Sequence, residues 1–395
     1  MTGAVIITFC TILLLAYIFD LTAAKTKIPS VLLLLGMGWA LRQGTNFMGI
    51  ELPELSGVLS LFGTVGLILI VLEGALELEL NRSKIGLLKR SFLGATLTLF
   101  VMSFALAAGL SYYGGYSLKV SLANAIPLAV ISSAIAIPTA RSFAKRDREF
   151  VTYESSLSDI IGVLFFNFIA LNPIIGTLAF GNLFLNIILI FIVSFVATIA
   201  LAFLLSRIEH HIKFMPIILL VILVYTVAKE FHLPALILIL VFGLFLGNLD
   251  ELKHIRWIQK LQPDVLNAEA QRFKKLTSEA TFLVRSLFFI LFGYLIDTAE
   301  LINTENIMWS GLTIVLIYGL RFIQLKVSGY RLRNLLFIAP RGLITILLYL
   351  SILPEDKIPL VNKPVIIQVI IATSILMMPG VISSGEKIKN TIQGK

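Results

Sequence analysis

The chain has few charged residues for its size. Asp, Glu, Lys and Arg make up 14% of its 395 residues, whereas an ordinary soluble domain has roughly 25%. Hydrophobic residues make up 58%, and the mean hydropathy is +0.95. A water-soluble fold has no interior large enough for so much apolar surface, so the composition indicates an integral membrane protein.

Cysteine and histidine are also scarce. Cys10 is the only cysteine, which excludes a disulfide within the chain and a cysteine-based metal site. The four histidines lie in or beside predicted loops without metal-ligand spacing: His210, His211, His232 and His254. No Ser-His or paired-Asp protease arrangement appears. An intramembrane enzyme is therefore the least favoured class, and we expect no cofactor.

Long hydrophobic runs fill most of the sequence. A helix that crosses a hydrocarbon layer of about 30 Å needs roughly 20 mostly apolar residues. About thirteen segments approach this requirement: 3–22, 28–41, 57–78, 91–113, 118–140, 151–172, 182–206, 214–229, 233–249, 278–297, 307–327, 333–353 and 364–384. The sequence therefore predicts an all-α membrane protein.

The basic residues are distributed unevenly between the predicted loops. The odd-numbered loops and the C-terminal tail hold 24 of the 32 Lys and Arg residues, and the even-numbered loops hold 5. Cytoplasmic loops carry the excess of Lys and Arg. This predicts a multi-pass protein of the cell (inner) membrane with its N-terminus outside and its C-terminus in the cytoplasm. The net charge of +9 is thereby explained by orientation in the lipid bilayer, and we expect no nucleic-acid partner.

The whole chain, 1–395, is predicted to be one transmembrane domain. Its longest stretch outside the membrane, 250–276, has apolar residues at helical spacing among charges. That pattern predicts an amphipathic segment along the cytoplasmic interface. The tail from Ser383 to Lys395 is too short to fold, so we expect no soluble C-terminal domain.

Six ionisable residues fall at membrane depth: Glu73, Glu154, Asp159, Arg285, Arg321 and Arg341. Each costs about 2.5 to 3.5 kcal/mol on insertion scales, so each is a functional candidate by default. Arg321 lies near the cytoplasmic end of its segment, and we expect its side chain to reach the interface.

The sixth segment contains a polar stripe with one carboxylate. Thr152, Ser155 and Asp159 fall at i, i+3 and i+7, which places them on one helix face, whereas Glu154 lies about 140° around the helix from Asp159. Oxygen ligands of this kind suit a monovalent cation, and a carboxylate also binds a proton. A purely structural hydrogen bond is the alternative for Asp159. We disfavour it because a carboxylate is costly for that purpose in an apolar helix.

Two segments carry helix breakers near their middle. The fifth has Pro127 and Pro138 around the pair Ser132 and Ser133, and the twelfth has Pro-Arg-Gly at 340–342. One such segment lies in each half of the chain. Discontinuous helices at mid-membrane, placed in corresponding positions of two inverted repeats, are typical of secondary transporters.

These segments resemble the monovalent cation:proton antiporter superfamily, which includes bacterial sodium/proton antiporters and animal sodium/proton exchangers. KIPSVLLLLGMGWALR at 27–42 is similar to the second helix of the family, and LILIVLEGALELEL at 67–80 to its third. ESSLSDIIGVLFF at 154–166 matches the signature in which a glutamate precedes an Asn-Asp or Asp-Asp pair, and APRGLITILL at 339–348 matches the Pro-Arg-Gly helix. The resemblance implies inverted repeats, two discontinuous crossing helices and a homodimer.

The resemblance also implies roles for individual residues. Asp159 would be the carboxylate that binds the metal ion, Na⁺ or a similar cation, and alternately a proton. Ser155 would lend a ligand oxygen, and Glu73 would line the ion route or contribute to the site. Glu154 would form a structural ion pair with Arg341, because a buried unpaired arginine is very costly.

The sequence departs from the family pattern at two places. Ser158 stands where most members have Asn or Asp before the key aspartate, and Ser132 and Ser133 stand near the place where many have Thr-Asp-Pro. We include these three serines among the candidates for the ion site. A single acid in the pair goes, in the family, with electroneutral one-for-one exchange.

Arg285 occupies a helix in which some family members place a basic residue near the ion site. It could hold Asp159 or Glu73 when no cation is bound. It could equally serve as a structural partner of Glu73. Both interpretations stay open at this point, and we class Arg285 as modulatory.

The predicted function is secondary active antiport of a monovalent cation against protons. Sodium is favoured, with potassium or lithium as the other candidates. The main alternative is a gated potassium channel-like or sensory protein on the same scaffold, and a further one is an organic-anion symporter. A channel passes net current, whereas an electroneutral exchanger does not.

Overall fold

The computed structural model describes residues 2–49, 56–140, 143–172, 177–207, 214–231, 233, 235–252, 263–298, 303–330 and 335–393. In this part of the chain we number fourteen α-helices: α1 (Thr2–Thr26), α2 (Ser30–Phe47), α3 (Ser56–Glu77), α4 (Ile85–Gly114), α5 (Leu118–Ala129), α6 (Ser133–Ala140), α7 (Lys145–Leu171), α8 (Thr177–Arg207), α9 (Phe214–Glu230), α10 (Leu236–Gly247), α11 (Pro263–Tyr294), α12 (Thr304–Val327), α13 (Leu343–Leu350) and α14 (Lys363–Gln393). A single helical turn at Leu249–Leu252 and two 3₁₀ turns, Arg82–Lys84 and Pro354–Asp356, complete the described elements. The described residues form no strand, so the all-α prediction is confirmed.

Each of the thirteen predicted segments overlaps a described helix; the fifth overlaps both α5 and α6, and the twelfth overlaps α13 only in its second half. By length and composition, six helical stretches are able to cross a membrane: Gly57–Glu77, Ile85–Gly114, Leu118–Ala140, Val265–Tyr294, Thr304–Val327 and Lys363–Ile382. Shorter apolar helices lie at Phe9–Ala23, Ile188–Leu204 and Leu236–Gly247. The tenth segment was predicted to begin at 278, but α11 begins at Pro263. Residues 264–276 contain no Pro or Gly that would separate them from the tenth segment. The second half of the predicted amphipathic loop is therefore the first part of α11. Residues 253–262 of that loop lie outside the described part.

The helices pack in two groups. The flanking group contains α1, α2, α3, α8, α9, α10 and α11, with the most extensive packing between α11 and α2, α11 and α3, and α10 and α3. The core group contains α4, α5, α6, α7, α12, α13 and α14, in which α4 packs on α5 and α7, and α12 packs on α14. Helix α3 also contacts α6, α7 and α13, so it forms the flanking side of the seam between the groups.

Two helices of the core group are interrupted and cross each other. Helix α5 ends at Ala129, the backbone continues extended through Val130, and α6 begins at Ser133. The second break precedes α13, where the segment around Pro340 is non-helical, as expected because the residue before a proline disfavours the helical conformation. The amide of Ser132 donates to the carbonyl of Pro340 at 2.9 Å. The break between α5 and α6 and the non-helical segment before α13 therefore meet, as the sequence predicted for the two discontinuous segments.

A glycine allows this crossing to be close. A Cβ atom added at Gly342 would lie 2.6 Å from Oγ of Ser132 and 2.7 Å from Cδ1 of Ile135. Real Cβ contacts essentially never come that near, so any side chain at this position would push the two unwound segments apart. The Pro-Arg-Gly motif thus supplies both the break and the space for the crossing.

Candidate functional site

Asp159 lies on α7, where that helix packs against the break between α5 and α6. Its side chain is buried, and Oδ2 accepts a hydrogen bond of 3.1 Å from the amide of Ser133, the first residue of α6. The N-terminus of a helix has unpaired amides and a partial positive charge, which favour a carboxylate. Oδ1 has no hydrogen-bond partner among the described residues. One carboxylate oxygen is held in place, and the other is buried without a described partner.

The serines on α7 have different tasks. The hydroxyl of Ser158 accepts the amide of Ile131 at 3.0 Å, so it satisfies a backbone group of the unwound segment. The hydroxyl of Ser155 donates to the carbonyl of Val151 at 2.7 Å, within its own helix. Ser158 therefore positions the break, whereas Ser155 keeps its oxygen lone pairs on the buried face that it shares with Asp159.

Ten buried hydroxyls have no hydrogen-bond partner among the described residues, and two of them come from the site region. One is Ser132, which was predicted as a candidate ligand, and the other is Ser156, which the sequence reasoning did not single out. Oγ of Ser156 faces α3, because a Cβ atom added at Gly74 would lie 3.0 Å from it. In the sequence, Ser156 could have been noticed because it follows Ser155 directly after Glu154. Only the packing against α3 shows which way its side chain points.

A cavity of about 710 Å³ opens between the two helix groups and reaches the site. Its wall includes Ser133, whose amide holds Asp159, and the predicted route residue Glu73. Six acidic and four basic residues line it: Asp20, Glu73, Glu77, Glu79, Glu149, Glu279, Lys84, Arg148, Lys274 and Arg285. A cleft with an excess of one charge sign concentrates ions of the opposite sign. This cavity leads from the loops predicted to be cytoplasmic toward Asp159, and its charge favours cations.

Glu154 pairs with Arg321, so the predicted pair of Glu154 with Arg341 is wrong. Nη1 of Arg321 lies 2.5 Å from Oε1 of Glu154, which also accepts a hydrogen bond from the amide of Gln324. Nε of Arg321 donates to the carbonyl of Leu335 at 3.2 Å. The expectation that Arg321 reaches the interface is wrong as well, since only 1% of the residue is exposed. A carboxylate within hydrogen-bond reach compensates for the cost of burying the guanidinium.

Arg341 binds backbone carbonyls instead of a carboxylate. Nε donates to the carbonyl of Leu128 at 2.6 Å and Nη1 to that of Ala339 at 3.0 Å, while the Arg341 amide donates to Oγ1 of Thr373 at 3.1 Å. Leu128 lies in the last turn of α5, where carbonyls lack helical partners and the helix carries partial negative charge. Arg341 therefore neutralises the end of the broken helix, which is a favourable place for a buried cationic side chain.

Arg285 reaches from α11 in the flanking group to α6 in the core group. Its Nη1 donates to the carbonyl of Ala134 at 3.3 Å, and Nη2 lies 3.9 Å from Oδ1 of Asp20. In an α-helix the carbonyl of Ala134 would accept the amide of residue 138, but Pro138 has no N–H. The proline thus leaves a carbonyl for the arginine, and Asp20, which the sequence reasoning missed, supplies its carboxylate.

This arrangement was compared with known proteins. The profile of the family described as "Sodium/hydrogen exchanger, transmembrane" matches residues 10–383. The chain belongs to the sodium/hydrogen exchanger family. Two structures of the sodium proton antiporter MjNhaP1 from Methanocaldococcus jannaschii have the same fold. The structure at pH 8 has 17% sequence identity and a TM-score of 0.67, with 98% of this chain and 97% of that chain covered.

The second MjNhaP1 structure, an electron microscopy map, has 19% identity and a TM-score of 0.64, covering 98% of this chain and 96% of the other. No curated protein matched the chain. The family confirms the resemblance seen in the sequence, and the fold confirms the expected antiporter architecture. The protein is thus a multi-pass membrane protein of the cation:proton antiport class, and its family and structural neighbours are transporters.

Proposed function

We propose that this family member exchanges sodium for protons one for one, with Asp159 binding either ion in turn. One observation carries the proposal. Asp159 is a buried carboxylate with one oxygen fixed by the amide of Ser133 and the other without a described partner, next to a cavity rich in acids. A buried carboxylate oxygen without a hydrogen-bond partner calls for a ligand, and a bound cation or proton would supply it.

The ligand set suits a small monovalent cation. Hard cations prefer oxygen ligands, and the site offers Oδ1 of Asp159 with the hydroxyls of Ser132 and Ser155 nearby on the crossing segment and α7. Binding of a proton to the same carboxylate removes the negative charge that holds the cation. Because the two ions compete for one carboxylate, movement of one ion down its gradient drives the other ion against its own gradient. Each exchange transfers no net charge.

Alternating access would come from movement of the core group against the flanking group, as in transporters with broken helices. In this structure the opposite end of the seam is packed shut. Gly63 of α3 lies against Leu347 of α13, and the Lys363 ammonium donates to the carbonyl of Leu295 across the two groups. We propose that these contacts separate when the cavity on the predicted cytoplasmic side closes.

The choice of cation and the membrane arrangement belong to the same proposal. Sodium comes first because the family description and the name of MjNhaP1 both specify it, and lithium and potassium are to be compared with it. The excess of Lys and Arg on the cavity side supports an outside N-terminus and a cytoplasmic C-terminus. A homodimer is proposed from the resemblance alone.

Exchange in proteoliposomes tests the proposal directly. An inward sodium gradient should drive proton efflux from the wild type, followed with an internal pH-sensitive dye, and Asp159→Asn should abolish it. Glu269→Gln is the matched control, since Glu269 is also buried but pairs with Arg272 away from the cavity. Exchange by Asp159→Asn at the wild-type rate would refute the assignment. A rate that changes when the membrane potential is clamped would refute electroneutrality.

A further inference from the structure

The outer surface of the core group has a groove between α4 and α12. It encloses about 480 Å³. Residues from both helices line it: Arg90, Leu93, Gly94, Leu97, Thr98, Val101, Leu320, Ile323, Gln324, Val327 and Ser328. Several of its apolar side chains are exposed in the structure, with Leu97 61% and Ile323 56% exposed. In a membrane these side chains face lipid.

The length of this α4–α12 groove matches one leaflet of a bilayer. On α4 the lining residues run from Arg90 to Val101, which is about 16 Å at 1.5 Å per residue. Half of a hydrocarbon core of about 30 Å is about 15 Å. The sequence placed the edges of the two spans at residues 91 and 327, so Arg90 and Ser328 lie at the same membrane interface. The groove therefore begins at headgroup level and ends near mid-membrane.

Polarity changes along the groove in the way that a phospholipid requires. Arg90 and Ser328 supply polar groups at the interface end, while Leu97, Val101 and Leu320 line the deeper end, where Thr98 also lies. Helix α4 starts at Ile85 on this side, so its partial positive end also lies near the headgroups. The charge at the rim complements a phosphate that carries a net negative charge.

We propose that the α4–α12 groove binds an anionic phospholipid, with one acyl chain along α4 and the headgroup at Arg90. The floor of the groove adjoins the buried ion pair. A Cβ atom added at Gly94 would lie 2.6 Å from Nε2 of Gln324 and 3.6 Å from Oε1 of Glu154. The bound chain therefore covers the side chains that hold Glu154 against Arg321 and supports the packing of α4 on α12. The site does not depend on the antiport mechanism.

Lipid binding to the purified protein tests this inference. The probes are palmitoyl-oleoyl phosphatidylglycerol and phosphatidylcholine, titrated in detergent and counted by native mass spectrometry. The wild type should retain one phosphatidylglycerol in preference to phosphatidylcholine. Arg90→Gln should weaken that binding about fivefold, the scale of one basic residue at a membrane surface. Lys89→Gln is the matched control, because Lys89 is exposed but does not line the groove, and it should bind as the wild type does.

A second pair of variants tests the acyl-chain part of the groove. Leu97→Trp fills the groove and should weaken binding of phosphatidylglycerol, whereas Phe92→Trp, at an exposed position outside it, should not. Equal binding of the two lipids by the wild type would overturn the inference, as would equal losses in Arg90→Gln and Lys89→Gln. Disulfide formation between two copies of Leu97→Cys in a Cys10→Ser background would show a second copy in the groove and would also overturn it. Asp159→Asn should bind the lipid normally, which separates this test from that of the proposed function.

Discussion

Oε1 of Glu154 and Nη1 of Arg321 lie 2.5 Å apart in the interior of the core group. Glu154 is on α7, five residues before Asp159, and Arg321 is on α12. The pair therefore joins the helix that carries the candidate ion-binding carboxylate to a helix on the membrane-facing side. It fixes the rotation of α7 and hence the direction in which Asp159 points.

Glu154→Gln should destabilise the protein strongly. The substitution leaves the Arg321 guanidinium buried without its counter-ion, and breaking a buried pair on one side costs about 3 to 5 kcal/mol. The loss should appear as a lower melting temperature of the purified protein in detergent, compared with the wild type.

A double-mutant cycle identifies the partner. Glu154→Gln combined with Arg321→Gln should cost less than the sum of the single changes, because the second substitution removes the unpaired charge. Glu154→Gln combined with Arg341→Gln should be close to additive, since Arg341 binds the carbonyls of Leu128 and Ala339. A larger coupling with Arg341 than with Arg321 would contradict the structure.

Gly342→Ala should impair exchange by separating the crossing segments. The added methyl group would collide with Oγ of Ser132 and Cδ1 of Ile135, and the hydrogen bond from Ser132 to Pro340 would lengthen. We expect the maximal rate of sodium-driven proton efflux to fall at least about tenfold, as is usual when a site moves by about 1 Å. Gly311→Ala is the control, because nothing lies within 4 Å of the Cβ position there. Unchanged exchange in Gly342→Ala would show that the close crossing is unnecessary.

Glu79 and Lys84 form an ion pair in the loop between α3 and α4. Their pKa shifts determine how the stability contributed by this pair changes with pH. The hydrogen bond from Lys84 holds the pKa of Glu79 below its ordinary value of 4.5. Burial opposes the charge on Lys84, but its hydrogen bonds to Glu79 and Glu149 outweigh this and raise its pKa above 10.5. The stability contributed by Glu79 is present above its unfolded pKa and is lost as the pH falls through the lowered value. The stability contributed by Lys84 is lost only as the pH rises through its raised pKa.

Glu79→Gln should therefore lower the melting temperature by the same small amount at pH 6 and at pH 8. The difference from the wild type should shrink below about pH 4, where Glu79 becomes protonated. Glu251→Gln, a change at another exposed acid, serves as the control for surface charge. A difference that grows between pH 8 and pH 6 would mean that this pair titrates near neutrality, against the direction of both pKa shifts.

Much of the fold follows from one-dimensional patterns. Hydrophobic length is enough to locate a membrane helix, and a proline in the middle of an apolar run is enough to predict a break, as at Pro127 and Pro340. Asp159 could be singled out because a charge at membrane depth is costly wherever its helix lies. These inferences need no knowledge of which helices are neighbours.

The partners of the buried charges could not be predicted in the same way. Arg321 and Arg341 are both within reach of α7 in a bundle, and only the rotation and depth of the helices decide which one meets Glu154. Ser158 illustrates the same limit, since its hydroxyl binds the amide of Ile131, which is exposed only because α5 ends there. Asp20 acquires its role from a contact with a helix 265 positions away in the sequence.

Pro138→Ala should change how the protein binds sodium without unfolding it. The new amide at position 138 can donate to the carbonyl of Ala134, which now accepts Nη1 of Arg285. Arg285 would lose one of its two described contacts and would retain Asp20, so its positive charge would be freer to enter the cavity and compete with cations. We expect the KM for sodium to rise about threefold to tenfold, the scale of one hydrogen bond, with little change in the maximal rate. The melting temperature should not fall, because alanine favours a helix interior over proline.

Pro379→Ala is the matched control for this change, since Pro379 also lies inside a helix, α14, and has no described contact with Arg285. It should leave the KM unchanged. In an Arg285→Gln background, Pro138→Ala should add nothing further, because the charge that it releases is already gone. Equal KM values for Pro138→Ala and the wild type would show that the carbonyl of Ala134 does not hold Arg285 in place. A rise of the same size in Pro379→Ala would show that it reflects loss of a proline in general rather than the position of Arg285 beside α6.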